Sequence, residues 1–281
     1  MYPLRYLTTG HVYIDPSDDC DKVVDALLET DYSEEFCLAR DFEEDFISRL
    51  MEAGFLVMSV ALEDEGGGEN ESPQEPFYIL LPKLHLARSA LLFPELHIKR
   101  SIRRFLKRYE LRVNTDFDLI LDKCIAIHGA QWLTPPLAEI LKSMHRSTAL
   151  ANLGSQRMET RGKASPWLLQ GKDLLSANAD GRVMPVSFAV YRDGELKAGE
   201  IGVAMEKVYT SYSGFYEEDN AGMVQMILMA QWMGEMGFAF LDFGMPLDYK
   251  TALGAQNIEP RSFVELFRSA RYKDTVNTSE L

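Results

Sequence analysis

Residues 97–108 hold six basic side chains and no acidic one. Lys99, Arg103 and Lys107 are spaced by four, as are Arg100, Arg104 and Arg108, so on a helix the two rows make adjoining strips of one side. Ile98, Ile102, Phe105 and Leu106 fall on the other side and would anchor it. Like charges at this spacing repel, which a phosphate partner would relieve; the chemistry on offer is polyanion binding, with a solvated amphipathic face as the plain alternative. A second candidate is Asp242, at the tip of the apolar run 238–243. His97, His128 and His145 stand at no metal-ligand spacing with another His, Cys or carboxylate and read as structural, and no metal or cofactor is expected. The methionines of 223–236 read as core.

The whole chain carries a formal charge of −14, so the six positive charges of that segment leave −20 for the remainder. A polyanion would meet one attractive spot on a repelling body, since phosphate affinity comes largely from Lys and Arg. With 281 residues and 46% hydrophobic content the chain can bury a full core, and no run approaches the roughly eighteen apolar residues of a membrane span. The start lacks a basic, apolar leader, which leads us to expect a cytoplasmic protein without a membrane partner, and a monomer. Cys20, Cys37 and Cys124, odd in number and far apart, read as reduced, mostly buried thiols.

These groups need elements to hold them. Apolar spacing predicts helices at 21–28 and 41–53, the latter stopped by Gly54. The stretch 63–76 has no core-forming residue and reads as a loop; strands follow at 77–81 and 90–93, then the basic helix near Ile98 and helices at 115–125 and 136–145. Periodicity fades over 146–182, read as an insertion. Order returns with a strand at 186–191, a turn through Asp193 and Gly194, a returning strand at 196–205 and another at 208–215. Asp219 or Asn220 offers a cap to an apolar helix ended by Gly237, followed by a strand at 238–243 and a closing helix at 262–268. The expectation is an α+β (α/β) protein. A small N-terminal α/β domain, 1–80, precedes a second domain, 81–281, whose element order is that of a GNAT-type acyltransferase, with a mixed, mostly antiparallel sheet flanked by helices.

Within the second domain the blocks Gly202-Val203-Ala204, Tyr212-Ser213-Gly214-Phe215, Asn220-Ala221, Gly237-Phe238, Leu241-Asp242 and Leu253-Gly254-Ala255 occur in one order. Upstream stand Phe93-Pro94-Glu95-Leu96-His97-Ile98 and Trp132. Together, over 33–267, they resemble the leucyl/phenylalanyl-tRNA–protein transferase family. The resemblance implies transfer of leucine or phenylalanine from aminoacyl-tRNA to a protein N-terminus bearing Lys or Arg, which marks that protein for degradation. It implies that the basic helix holds the tRNA acceptor stem through Lys99, Arg100, Arg103, Arg104, Lys107 and Arg108. Asp242 and Tyr212 would be catalytic, and Trp132, Ser213, Glu200, Tyr209 and Gly244 would contact substrate.

Several positions depart from the family pattern. Ser211-Tyr212-Ser213 stands where the family has Gly-Glu-Ser, and Asp242-Phe243-Gly244 where it has Asp-x-Gln. Tyr249 replaces a His, Glu200 stands at a usually apolar place, and Ile79-Leu80 replaces Trp-Trp. Coenzyme A is disfavoured because Tyr216-Glu217-Glu218-Asp219, ahead of the Asn220 helix, replaces the glycine-rich pyrophosphate loop of GNAT enzymes and would repel phosphate. Two alternatives stay open: a binding protein that keeps the tRNA or N-terminal-peptide site without turnover, and an acyltransferase with another activated donor.

Overall fold

Short strands β1 (Arg5–Tyr6) and β2 (Val12–Tyr13) pair ahead of two amphipathic helices, α1 (Cys20–Glu29) and α2 (Glu44–Glu52). The Asp19 side chain caps α1 by accepting from the Lys22 N–H, and Gly54 follows α2 at φ +100, a conformation that suits glycine. β3 (Leu56–Leu62) and β4 (Phe77–Lys83) form an antiparallel ladder. In this computed structural model residues 1–62, 76–147 and 183–271 are described. The expected loop at 63–76, except Pro76, and the expected insertion at 146–182, except Arg146 and Ser147, lie outside them.

The remaining strands build one sheet. β5 (Arg88–Leu92), β6 (Glu110–Val113), β7 (Met184–Arg192), β8 (Glu195–Met205), β9 (Val208–Tyr216), β10 (Phe240–Asp242) and β11 (Gln256–Ile258) stand in the order β11-β5-β10-β9-β8-β7-β6. Every neighbouring pair is antiparallel except β10 beside β9. The expected mixed, mostly antiparallel sheet is therefore present. Asp193 and Gly194, at φ +54 and +85, make the two-residue turn between β7 and β8, whose twist matches that of paired strands.

Helices cover both faces. α4 (Phe117–His128) and α5 (Pro135–Ser147) lie against β7, β8 and β9 on one side, with α8 (Pro260–Arg271) against β9. The apolar α6 (Ala221–Glu235) covers the other side, and α3 (Arg100–Leu106) packs on it. α7 (Asp248–Ala252) links β10 to β11. Two hydrophobic clusters result. One joins Phe46, Val57 and Leu80 to Ile120, Ile201 and Phe263; the other joins α6 to the opposite sheet face. The first cluster crosses the expected boundary at residue 80, which itself falls inside β4.

Several local expectations differ. The basic helix has only seven residues: Lys99 and Lys107 cap it and Arg108 lies beyond, because it has neither an acidic first turn nor a side-chain cap. Asn220 precedes α6 at φ +70 and makes no side-chain cap bond. β10 is shorter than 238–243, and β6, α7 and β11 were not expected.

Candidate functional site

β10 pairs with β9 only over 208–210. Beyond Thr210, β9 runs on without that neighbour, and a cavity of about 450 Å³ occupies the space. Its walls are 211–216 of β9, the start of α6 through Gly222, Met223, Gln225 and Met226, His128 at the end of α4, and Phe243, Tyr249 and Lys250 after β10. Glu200, on β8, completes it. Open space where parallel strands diverge, lined by aromatic and thioether groups together with convergent polar ones, is a usual build of a small-group binding site.

Glu200 is only 4% exposed. The Tyr209 hydroxyl donates to its Oε1 at 3.3 Å and Gln225 Nε2 donates to its Oε2 at 3.2 Å. Burial pushes this carboxyl up to about 7, against hydrogen bonds from Ser211, Gln225 and Tyr209 and the charge of Lys250, which pull it down. Gly202 makes the contact with Tyr209 feasible: a Cβ there would lie 2.4 Å from the Tyr209 hydroxyl oxygen and 2.3 Å from the Thr210 carbonyl oxygen. Next to this contact β9 bulges, since Ile201 pairs with Ser213 and Gly202 with Ser211, leaving Tyr212 as the extra residue.

Tyr212 and Ser213 line the cavity, and the Tyr212 hydroxyl also accepts the Val57 N–H at 3.0 Å and so ties β9 to β3. Burial holds its pKa well above the usual phenol range, so it stays protonated. Tyr209 stands behind Glu200 and is fully buried. Trp132 is part-buried against the first core cluster, accepts the Ser59 N–H through its carbonyl, and does not line this cavity.

Asp242 does not line it either. Completely buried, it receives Arg88 Nε at 2.9 Å and the Gly244 N–H at 2.9 Å on Oδ1, and Arg88 Nη2 at 2.6 Å and the Thr210 hydroxyl at 2.9 Å on Oδ2. Arg88 in turn donates to the Gly54 carbonyl at 2.9 Å and lies over the Phe263 ring. Gly244, at φ +68, thus serves through its backbone N–H. The surroundings of Asp242 are those of a carboxylate that fixes the end of β10, with no oxygen turned to a ligand. Lys250, which sequence reasoning missed, is buried beside the cavity.

All six cations of the basic segment are exposed, and none is paired with a carboxylate among the described residues. Ile98, Ile102, Phe105 and Leu106 pack on the second core cluster, as expected. The segment touches the far end of the cavity-lining loop: the His97 N–H donates to the Leu253 carbonyl at 2.8 Å, and Gly254 lies so near the Glu95 carbonyl that a Cβ would come within 2.0 Å of its oxygen. His128 donates to the Gly214 carbonyl at 2.7 Å, and His145 stacks on Phe117 and bonds the Pro185 carbonyl. All three cysteines are buried, with burial pushing Cys20 and Cys124 up to about 12. No group of three metal-ligating side chains occurs among the described residues, and none of their helices is long and apolar enough to cross a membrane.

Fold and site thus define an α/β protein with a cavity where two parallel strands part and an exposed cationic helix attached to its rim. The model of the leucyl/phenylalanyl-tRNA protein transferase family matches residues 156–268. A leucyl/phenylalanyl-tRNA–protein transferase of Pseudomonas putida (strain W619) is 28% identical over 195 residues, covering 67% of this chain and 70% of that one. One from Pseudomonas fluorescens (strain Pf0-1) is 28% identical over 193 residues, covering 66% and 69%. The crystal structure of FemX overlaps at 12% identity and a TM-score of 0.35, over 89% of this chain and 79% of that one, a likeness too low to argue from. The chain is thus similar to leucyl/phenylalanyl-tRNA–protein transferases over about two thirds of its length, at 27–28% identity.

Proposed function

We propose that the chain moves an amino acid from aminoacyl-tRNA to the α-amino group of a protein or peptide that begins with Lys or Arg, marking it for degradation in the cytoplasm, and that Glu200 is the proton acceptor. The observation that carries this reading is a buried carboxylate, raised to about 7, in the wall of the cavity. An aminoacyl ester is already activated, so the protein has to position the amine and steady charge; positioning contributes roughly 7–11 kcal/mol and a general base roughly 3–5 kcal/mol. The amine has an ordinary pKa of about 7.7 to 8.0, which a base near 7 matches.

In this reading the attacking amine meets Glu200. The family pattern has a carboxylate where this chain has Tyr212, and Glu200 offers one from the neighbouring strand, two residues from the bulge. Asp242 is a positioning residue: with Arg88 it holds the turn that carries Phe243 and Lys250. The acceptor stem lies along Lys99, Arg100, Arg103, Arg104, Lys107 and Arg108, and the exposed Tyr216 and Tyr249 rings flank the entry. The succession β7, β8, β9, α6, β10 suits a GNAT-like acyltransferase, and no cofactor is required.

Incubation with radiolabelled aminoacyl-tRNAs and peptides bearing each N-terminal residue tests this: label is expected in peptides beginning with Lys or Arg. Absence of transfer with every pair would sink it, and salt-sensitive tRNA binding that survives alone would leave a binding protein.

A further inference from the structure

We infer that Lys250 is a further catalytic residue, whose ammonium stabilises the oxyanion formed when the amine attacks the aminoacyl ester; this rests on the transferase reading above. Nζ donates to the Phe243 carbonyl at 2.7 Å and the Met245 carbonyl at 2.8 Å. These two bonds fix the ammonium beside the cavity and use two of its three N–H groups. The third has no acceptor among the described residues, while the side chain lines the cavity and is buried. Glu200 lines the same cavity and interacts electrostatically with Lys250. The cavity therefore holds one group that takes a proton and one that faces negative charge.

That pairing matches the intermediate of ester aminolysis. The amine nitrogen bonds to the ester carbonyl carbon, and the carbonyl π electrons move to oxygen, which accepts from the Lys250 ammonium. The attacking nitrogen, cationic once bonded to carbon, gives one proton to Glu200, and Lys250 keeps its own. The oxyanion then re-forms the carbonyl, the bond to the ribose oxygen breaks, and Glu200 returns the proton to that oxygen. The amide and the free ribose hydroxyl leave with no net change in protons. A donor fixed in advance in a dry wall costs no reorganisation as charge develops, which is why removal of one such donor typically lowers kcat by about 10²- to 10³-fold.

The test is single-turnover transfer from charged tRNA to a peptide beginning with Lys, by the full chain and its Lys250→Met and Lys250→Arg variants, with thermal melting of each. Lys250→Met is expected to lose about 10²-fold or more in kcat with peptide KM and tRNA affinity within about twofold of the parent, and Lys250→Arg to keep most of the rate. The pH profile supplies a readout that a packing role would not move. Burial lowers the Lys250 pKa, while the charges of Glu200 and Asp242 raise it; His85 and Tyr249 are the other titratable groups nearby. A falling alkaline limb below the usual lysine range is expected in the parent and absent in Lys250→Arg. An active parent whose Lys250→Met variant keeps its rate, or loses only KM, overturns this assignment alone. A parent inactive with every donor and acceptor overturns the transferase reading and this assignment with it.

Discussion

Glu200 and Asp242 show how one functional group, the carboxylate, is given two tasks by its surroundings. Asp242 is paired directly with a guanidinium and also meets a hydroxyl and a backbone N–H, whereas Glu200 meets the neutral donors Ser211, Gln225 and Tyr209, the charge of Lys250 and a cavity. The contrast has consequences for stability. Glu200 has an ordinary value of 4.5 and is raised to about 7, so below 4.5 both folded and unfolded states are protonated and the group is neutral in its effect. As pH rises through that window the unfolded state loses its proton first, and folded stability falls by up to roughly 3 kcal/mol above pH 7, at about 1.36 kcal/mol per unit. Glu200→Gln is therefore expected to melt higher relative to the parent at about pH 8 than at about pH 4.5; an offset that does not change with pH contradicts the shift. Asp242→Ala strands the buried Arg88 and is expected to cost about 3–5 kcal/mol in urea unfolding. Arg88→Met with Asp242→Leu should cost clearly less than the two single changes added, and simple additivity would deny the pairing. Of these groups Glu200 was visible in the sequence as a lone charge within Gly-Glu-Ile-Gly-Val-Ala. The Arg88 partner of Asp242 lies 154 residues away, and Lys250, in Tyr-Lys-Thr-Ala, looks like any solvated helix lysine.

At the scale of elements, what repeats locally was legible. The β7–β8 hairpin with its Asp-Gly turn, α6 with Gly237 behind it, and α1, α4 and α5 follow from periodicity and turn chemistry. β6 and β11 were not legible, because four and three residues carry too little pattern and exist through partners far along the chain. The meeting of the Leu253-Gly254 turn with 95–97, which joins the cavity loop to the basic helix, was likewise invisible. Gly254→Ala places a methyl carbon 2.0 Å from the Glu95 oxygen at φ +101, so it is expected to cost about 1–3 kcal/mol and to speed hydrogen exchange at the His97 amide. Gly10→Ala, at φ +85 with nothing within 4 Å, controls for the backbone term alone and should cost about 1 kcal/mol. Equal costs would mean that the close approach to Glu95 does not hold the segment.

For the whole molecule, charge decides what approaches and where. A body of net charge −14 repels RNA except at the exposed cations around α3, so tRNA binding is expected to be steeply salt-dependent and confined to that strip. Arg103→Glu with Arg104→Glu is expected to lower tRNA affinity more than tenfold at about 0.1 M salt and to flatten the salt dependence by about 0.7 to 0.9 for each phosphate left without its cation, with an unchanged melting temperature. Undiminished affinity would move the RNA elsewhere. The most direct measurement is single-turnover transfer from charged tRNA to a peptide with an N-terminal Lys, followed across pH for the parent and Glu200→Gln. The account predicts a parental rate that climbs with pH from a limb near 7, and a variant slower by about 10²-fold or more that lacks this limb, keeps only the climb of the α-amine itself at about 7.7 to 8.0, and has unchanged tRNA affinity. A variant that matches the parent in rate and pH profile would contradict it.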